Sequence, residues 1–259
     1  MTQTVSVAPQ FKKPPWRFFD GVLVMIAAFG AYTAFSLIHM QLVAHTVGME
    51  AYLGEGDRLP PGVLLMGQLS KALALMGALW LVGIYFKRVG WAEVGLRKVN
   101  WRWIAVGALF GAAFFVTGLF LVKSLVGMLP GWTAMTTPNF TFENTSNLAT
   151  VALYLLLTFA ITPFAEEVFF RGFMFRWMSG HHPVWLAAII SSIIFGVSHI
   201  LPPQVINACV MSLALCWLYW RTGSIWPSIV AHAVNNIIGV LMGAAAAAGA
   251  LPAFFNLPA

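Results

Sequence analysis

The sequence predicts an all-α fold, a polytopic transmembrane helical bundle of about seven or eight spans around a buried polar active-site cavity. Of its 259 residues, 60% are hydrophobic and only 8% are charged, whereas about 25% are charged in an average soluble domain. The apolar runs are long and continuous, while the strands of a membrane barrel would alternate in short segments. Ionisable side chains recur inside the later runs, and in membrane proteins such side chains face the interior of a bundle.

Each apolar run is long enough to cross a hydrocarbon core of about 30 Å. Lipid offers the backbone no hydrogen-bond partners, so each run is predicted to be a helix. The fourth run is overlong and contains Pro163, which predicts one kinked helix or two pieces. The runs cover residues 20–44, 61–86, 103–128, 148–178, 183–200, 203–220 and 224–247.

The chain is predicted to form one membrane domain over residues 20–247, with its chemistry concentrated in 148–240. Residues 1–19 would be a cytoplasmic N-terminal segment and 248–259 a C-terminal tail. No internal repeat or long linker divides the chain. The first run follows basic residues, as in a signal peptide, but its apolar stretch exceeds the usual 7–15 residues. It is therefore expected to be a retained anchor.

The Lys and Arg residues predict the orientation of the bundle, because cytoplasmic loops carry an excess of them. Outside the apolar interiors, all of them except Arg58 fall on the side of the N-terminus, which is therefore predicted to be cytoplasmic. Lys71 and Lys123 lie inside runs, where each could reach an interface or serve a polar cavity. The basic residues do not cluster along one element, which disfavours a nucleic-acid partner and leaves the lipid bilayer as the expected surroundings.

The fourth run contains two adjacent carboxylates, Glu166 and Glu167, followed by Arg171. A charge at bilayer depth costs at least about 2.5–3.5 kcal/mol, so its presence needs a reason. Glu167 and Arg171 are four residues apart and are predicted to pair on one helix face. Glu166 lies about 100° round the helix and is expected to stay unpaired and available for chemistry. The structural alternative is an ion pair that only holds two helices together.

Two histidines and an amide occur in later runs. His199 lies in the fifth run, and His232 and Asn236 lie four residues apart in the seventh, where they share a helix face. A single histidine in an apolar helix is more often a packing residue. Counted from the predicted cytoplasmic ends at 1.5 Å per residue, these three residues and Glu166 lie between roughly 14 and 24 Å deep. The four side chains are therefore predicted to share one site.

A carboxylate beside histidines in a buried cavity suits the activation of water. Glu166 is the predicted general base, and His199 would hold or share the water. His232 and Asn236 would donate hydrogen bonds to the oxyanion that develops on a peptide bond. A covalent nucleophile is disfavoured, because no serine stands in a G-x-S-x-G turn and the two cysteines have no nearby base.

Zinc is the alternative to a cofactor-free site, because one Glu and two His form a known set of zinc ligands. The H-E-x-x-H signature is absent. Asn236 would be a poor zinc ligand but a good oxyanion donor. A site without a cofactor is therefore the expectation, with zinc as the rival.

Three short motifs occur in order in the second half of the chain. They are Glu166-Glu167-x-x-x-Arg171, Phe195-x-x-x-His199 and His232-x-x-x-Asn236. Together they resemble the motifs of the CAAX prenyl protease 2 family, also called CPBP or Abi. The resemblance covers residues 148–240, whereas the earlier runs match only as generic membrane helices.

The resemblance implies a helical intramembrane endopeptidase. It implies that Glu166 and His199 activate water, that Glu167 positions Arg171, and that His232 and Asn236 form the oxyanion site. Eukaryotic and archaeal members remove the last three residues of prenylated C-a-a-X proteins, while many bacterial members are linked to peptide signalling, bacteriocin immunity or maturation.

The expected partner is accordingly a peptide or protein substrate that is prenylated or inserted in a bacterial or archaeal cell membrane. One alternative is a non-catalytic membrane scaffold or bacteriocin-immunity protein that uses the same fold. Another is a proton-coupled transporter, since buried Glu and His residues also form proton relays.

Overall fold

The computed structural model describes residues 13–46, 48, 61–129, 147–199 and 202–251. Within these ranges every regular element is helical, which confirms the predicted all-α bundle. Arg58 and the outer parts of both predicted terminal segments lie outside the described residues. The long helices are α1 (Phe18–Thr46), α2 (Pro61–Ala78, continued by a π-helix over Leu79–Tyr85), α3 (Trp101–Met128), α4 (Leu148–Ser179), α5 (Val184–Val197), α6 (Pro202–Thr222) and α7 (Trp226–Ala247).

α5 is shorter than the run that predicts it. In the described part of the chain, 6 helices are long and apolar enough to cross a membrane, whereas α5 has 14 residues, or about 21 Å at 1.5 Å per residue. It ends at Val197, and the N–H of His199 donates to the carbonyl of Gly196 at 2.9 Å in a turn. α6 begins at Pro202, whose missing N–H cannot extend a preceding helix. α5 and α6 pack against each other, and His199 lies in the turn that follows α5.

α4 is one continuous helix with two π-helical segments, Leu157–Ile161 and Val168–Phe175. The first segment precedes Pro163, whose ring and missing N–H disturb the preceding turn of a helix. The N–H of Thr162 bonds to the carbonyl of Leu157, five residues back. The predicted irregularity at Pro163 is thus a widened turn within one helix.

The second half of α4 lies at the centre of the bundle. All residues of its Val168–Phe175 segment are buried. The ring of Phe173 stacks parallel to Trp177 at 6.1 Å and meets the edge of Trp16 at 5.1 Å. Such aromatic pairs contribute about 0.5–1.5 kcal/mol beyond area burial. The helix that carries both carboxylates is therefore held on several sides.

α3 and α7 pack closely because of two glycines on α3. A Cβ at Gly107 or Gly111 would overlap the backbone carbonyls of Pro227 and Ala231 on α7. Small residues at such positions let membrane helices approach backbone to backbone. This contact fixes the position of α7, which carries His232.

At one end of the bundle, ion pairs link the connection between α2 and α3 to the ends of α1 and α4. Lys87 lies 2.6 Å from Asp20 at the start of α1. Arg176 near the end of α4 lies 2.8 Å from Glu93, in a short 3-10 helix over Trp91–Val94. This is the end that carries the basic residues, so it is the end that the sequence predicts to be cytoplasmic.

Candidate active site

Glu167 and Arg171 form a buried ion pair on α4, as the sequence predicts. Arg171 Nη1 lies 2.7 Å from Glu167 Oε1, and neither side chain is exposed. The guanidinium carbon lies 4.0 Å from the ring centre of Phe195 on α5, in a cation–π contact. Truncating one member of such a pair would leave an uncompensated charge in the bundle.

Glu166 is not unpaired, so that expectation is wrong. Lys71 on α2 places its Nζ 2.6 Å from Glu166 Oε1. The same ammonium donates to Ser198 Oγ at 3.3 Å. A lone carboxylate in this environment would be costly, and α2 supplies the cation where it packs against α4. Lys71 therefore serves the polar cavity and does not extend to a membrane interface.

His232 on α7 lies between the two carboxylates. Its Nδ1 is 2.8 Å from Glu167 Oε1, and its Nε2 is 3.8 Å from Glu166 Oε2. The carboxylate of Glu167 can only accept at the first contact, so Nδ1 carries a proton. Glu167 therefore holds the imidazole with Nε2 directed toward Glu166.

His199 lies in the turn after α5 and not within a span. Its Nδ1 is 3.0 Å from the carbonyl oxygen of Phe195, so Nδ1–H donates there. In the neutral imidazole this leaves Nε2 as the acceptor. The rings of His199 and His232 both pack against Phe195, and Lys71 Nζ joins Glu166 to Ser198, the residue before His199. The predicted convergence of these three residues is therefore seen in the structure.

Phe195 organises this cluster. Its ring lies 4.8 Å from the ring of His199, 6.0 Å from that of His232 and 5.1 Å from that of Phe170, measured between centroids. Phe195 belongs to the second sequence motif, although the sequence alone assigns it no role. Its contacts show that it packs against both imidazoles.

Asn236 lies one turn beyond His232 and is already hydrogen-bonded. Its Nδ2 donates to the carbonyl oxygen of Thr158 at 3.1 Å. In this widened turn, the helical partner of the Thr158 carbonyl would be the N–H of residue 163, but Pro163 has no N–H. The N–H of Thr162 already bonds to the carbonyl of Leu157. Asn236 thus supplies the donor that the widened turn of α4 lacks. One of its two amide N–H groups remains for another acceptor.

Gln68 extends the polar surface of α2 by one turn from Lys71. It exchanges hydrogen bonds with Thr158 Oγ1 at 3.2 and 3.3 Å and accepts one from Thr162 Oγ1 at 3.4 Å. The sequence gives no signal for Gln68. For Lys71 the signal is a charge inside an apolar run, but its partner could not be deduced because α2 lies far from α4 in the chain.

The described side chains do not fit a zinc ion in this arrangement. No group of three His, Cys, Asp or Glu side chains converges as metal ligands among the residues with described positions. Lys71 Nζ lies 2.6 Å from Glu166 Oε1. A divalent cation bound to the same carboxylate would therefore be repelled by the positive charge of this lysine.

An apolar groove of about 320 Å³ opens between the start of α1, the end of α4 and α5. Met25, Met174 and Met178 are among its lining side chains, with His181 and His182 at the α4 end. The groove lies toward the predicted cytoplasmic end, several turns of α4 below Glu166. Unbranched methionines adapt to varied apolar chains.

Comparison with protein families finds a match in the second half of the chain. Residues 148–238 match the family model described as type II CAAX prenyl endopeptidase Rce1-like. The match contains the six predicted site residues, namely Glu166, Glu167, Arg171, His199, His232 and Asn236. Lys71 lies outside it.

Two relatives come from Bacillus subtilis (strain 168). YyaK, whose name states no activity, is 27% identical over 238 residues, covering 86% of this chain and 76% of YyaK. YdiL, named as a candidate membrane peptidase, is 32% identical over 92 residues, covering 36% of this chain and 38% of YdiL. No solved structure matches the chain.

Proposed function

We propose that this multi-pass membrane protein, which carries an Rce1-like region of the CAAX-type membrane proteases, is an intramembrane endopeptidase. One observation supports this above all: Glu166, His199 and His232 converge from α4, the turn after α5 and α7. A structural ion pair needs no second imidazole. A site that activates water needs a base and groups that hold the water and the reacting carbonyl.

In the proposed reaction, a water molecule lies between Glu166 and His199 Nε2. Its oxygen attacks the carbonyl carbon of the scissile peptide while Glu166 takes one of its protons. The C–N bond then breaks, and Glu166 passes that proton to the leaving amine. The products are a new carboxyl terminus and a new amino terminus, with no covalent intermediate.

Oxyanion stabilisation is proposed for two groups on α7. His232, held at Nδ1 by Glu167, would take up a proton from solvent as the substrate binds and would then donate a hydrogen bond through Nε2–H. Asn236 would donate through the amide N–H that Thr158 does not use. Removing one such donor typically costs about 10²–10³-fold in rate.

The proposed substrate is a membrane-inserted or lipidated polypeptide that enters from the bilayer. The apolar groove beside α1 could hold its hydrophobic chain. If the N-terminus is cytoplasmic as predicted, the groove would receive a substrate from the cytoplasmic leaflet. The reaction is proposed to need no metal, because Lys71 compensates the charge of Glu166.

A cleavage assay in vesicles tests the function. The purified protein is reconstituted in phosphatidylethanolamine–phosphatidylglycerol vesicles with a pool of single-span peptides and with C-a-a-X peptides in farnesylated and unmodified forms. Mass spectrometry then identifies new termini. We expect cleavage by the wild type and a fall of at least about 10³-fold for Glu166→Gln.

Asp20→Asn is the matched control, because this carboxylate pairs with Lys87 at the start of α1, away from the cluster. It should cleave at close to the wild-type rate. Cleavage by Glu166→Gln at the wild-type rate would exclude Glu166 as the base. Absence of cleavage, with full biological activity of Glu166→Gln in cells, would favour the scaffold or immunity alternative.

A further inference from the structure

Lys71 is the cation that faces Glu166 and comes from outside the Rce1-like region. Its Nζ lies 2.6 Å from Glu166 Oε1 and 3.3 Å from Ser198 Oγ. Ser198 Oγ in turn donates to the carbonyl of Phe195 at 2.7 Å. The ammonium is therefore held by two acceptors from two different parts of the fold, and its position is specified.

The contacts of Glu166 distinguish its two oxygens. Lys71 binds Oε1, whereas Oε2 faces His232 Nε2 at 3.8 Å. A base needs one oxygen that can receive a proton in a defined direction. With Oε1 held by the ammonium, Oε2 is the oxygen directed into the space between α4 and α7.

With both imidazoles neutral, the charges of the described groups in the cluster balance only if Lys71 is counted. On α4, Glu166 and Glu167 face Arg171, and α2 contributes Lys71. The other titratable groups facing the cluster are His199 after α5, His232 on α7 and Cys216 on α6. Without Lys71 the cluster would hold one uncompensated negative charge. In a low-dielectric site such a group takes up a proton instead of staying charged, and a protonated Glu166 is no longer a base.

We propose that Lys71 is the positioning residue of the general base: it keeps Glu166 ionised within the bilayer and directs Oε2 toward the reacting water. Its catalytic consequence rests on the proposed peptidase function. Its effect on the ionisation of Glu166 does not, so the two can be tested separately.

The rival explanation is that Lys71 only ties α2 to α4. Gln68 provides the matched control, because it lies one turn away on the same helix and hydrogen-bonds to Thr158 and Thr162 of α4. Gln68→Leu removes a polar tie between the same two helices but leaves the ammonium in place. Lys71→Met removes the charge at similar length, and Lys71→Arg retains it.

Infrared spectroscopy measures the ionisation directly, with the full-length protein in lipid vesicles. A protonated carboxyl group has a carbonyl stretch that a carboxylate lacks. We expect this band to appear at pH 7 in Lys71→Met, to be absent from the wild type, Lys71→Arg and Gln68→Leu, and to vanish from Lys71→Met when Glu166→Gln is added. Identical spectra for Lys71→Met and the wild type would overturn the proposal. If Lys71→Met does not fold, Lys71→Gln serves in its place.

The pH profile of kcat, measured on a peptide cleaved by the wild type, tests the catalytic consequence. For Lys71→Met we expect a loss on the order of 10²-fold at pH 7 that lessens as the pH rises, and substantial recovery in Lys71→Arg. A purely structural tie would lower kcat equally at every pH and in Gln68→Leu as well. If the infrared band behaves as expected but no peptide is cleaved, the role of Lys71 stands and the peptidase function fails.

Discussion

At the scale of single residues, the site is a set of buried charges that compensate one another. Glu167 Oε1 accepts from Arg171 at 2.7 Å and from His232 at 2.8 Å. Charge-assisted hydrogen bonds of this kind are about twice as strong as neutral ones. Two charged or polar donors thus hold Oε1 of Glu167 in place, whereas Glu166, with a close ammonium on one oxygen, is the carboxylate that we propose for proton transfer.

Arg171→Met tests this assignment through stability. It leaves the buried carboxylate of Glu167 without its guanidinium, and we expect the free energy of unfolding in mixed micelles to fall by about 3–5 kcal/mol. Arg97→Met is the control, because Arg97 pairs with Glu93 at 3.5 Å in a partly exposed ion pair that contributes at most about 1 kcal/mol. Equal losses for the two variants would contradict a dominant role for the buried pair.

These residue contacts also show what the sequence can reveal. The pairing of Glu167 with Arg171 could be predicted, because helical geometry alone brings residues i and i+4 together. The pairing of Glu166 with Lys71 could not, because it depends on how α2 packs against α4. Local periodicity specifies which residues share a face, but not which distant helix meets that face.

At the scale of elements, the irregular turns of α4 shape the site. The π-helical segment Leu157–Ile161 precedes Pro163 and directs the carbonyl of Thr158 toward α7, where Asn236 binds it. π segments often occur at functional sites. The sequence predicted a kink from Pro163, but the widened turn and its donor on another helix follow only from tertiary packing. The sequence also overestimated the length of α5, which ends at Val197 before the turn at His199.

A double-mutant cycle separates the structural role of Asn236 from its proposed catalytic role. Asn236→Leu leaves the Thr158 carbonyl without that donor, and we expect it to cost about 1–3 kcal/mol of unfolding free energy. In a Pro163→Ala background the restored N–H can bind that carbonyl, so the same change should cost clearly less. Strictly additive losses would show that Asn236 does not compensate for the proline. Cleavage should be impaired by Asn236→Leu in both backgrounds.

At the scale of the whole molecule, one short helix packs beside long ones: α5 contacts α6 and the second half of α4. It ends at Val197, and the turn that follows brings Ser198 beside Lys71 of α2 and His199 beside Phe195. The close packing of α3 on α7 positions His232 from the other side. The order of spans and the membrane class could be predicted from hydropathy. The contact between α2 and the Rce1-like region, which brings Lys71 to Glu166, could not be predicted in this way.

The most direct test of the central claim is the cleavage rate of a peptide substrate at pH 7 in vesicles, measured with a strong zinc chelator for the wild type and Glu166→Gln. The claim is that Glu166, held by a lysine and not by a metal, activates water for peptide hydrolysis. We expect the wild-type rate to be unchanged by the chelator and the Glu166→Gln rate to be at least about 10³-fold lower. Cleavage that stops with the chelator and returns with added zinc, or that survives in Glu166→Gln, would contradict it.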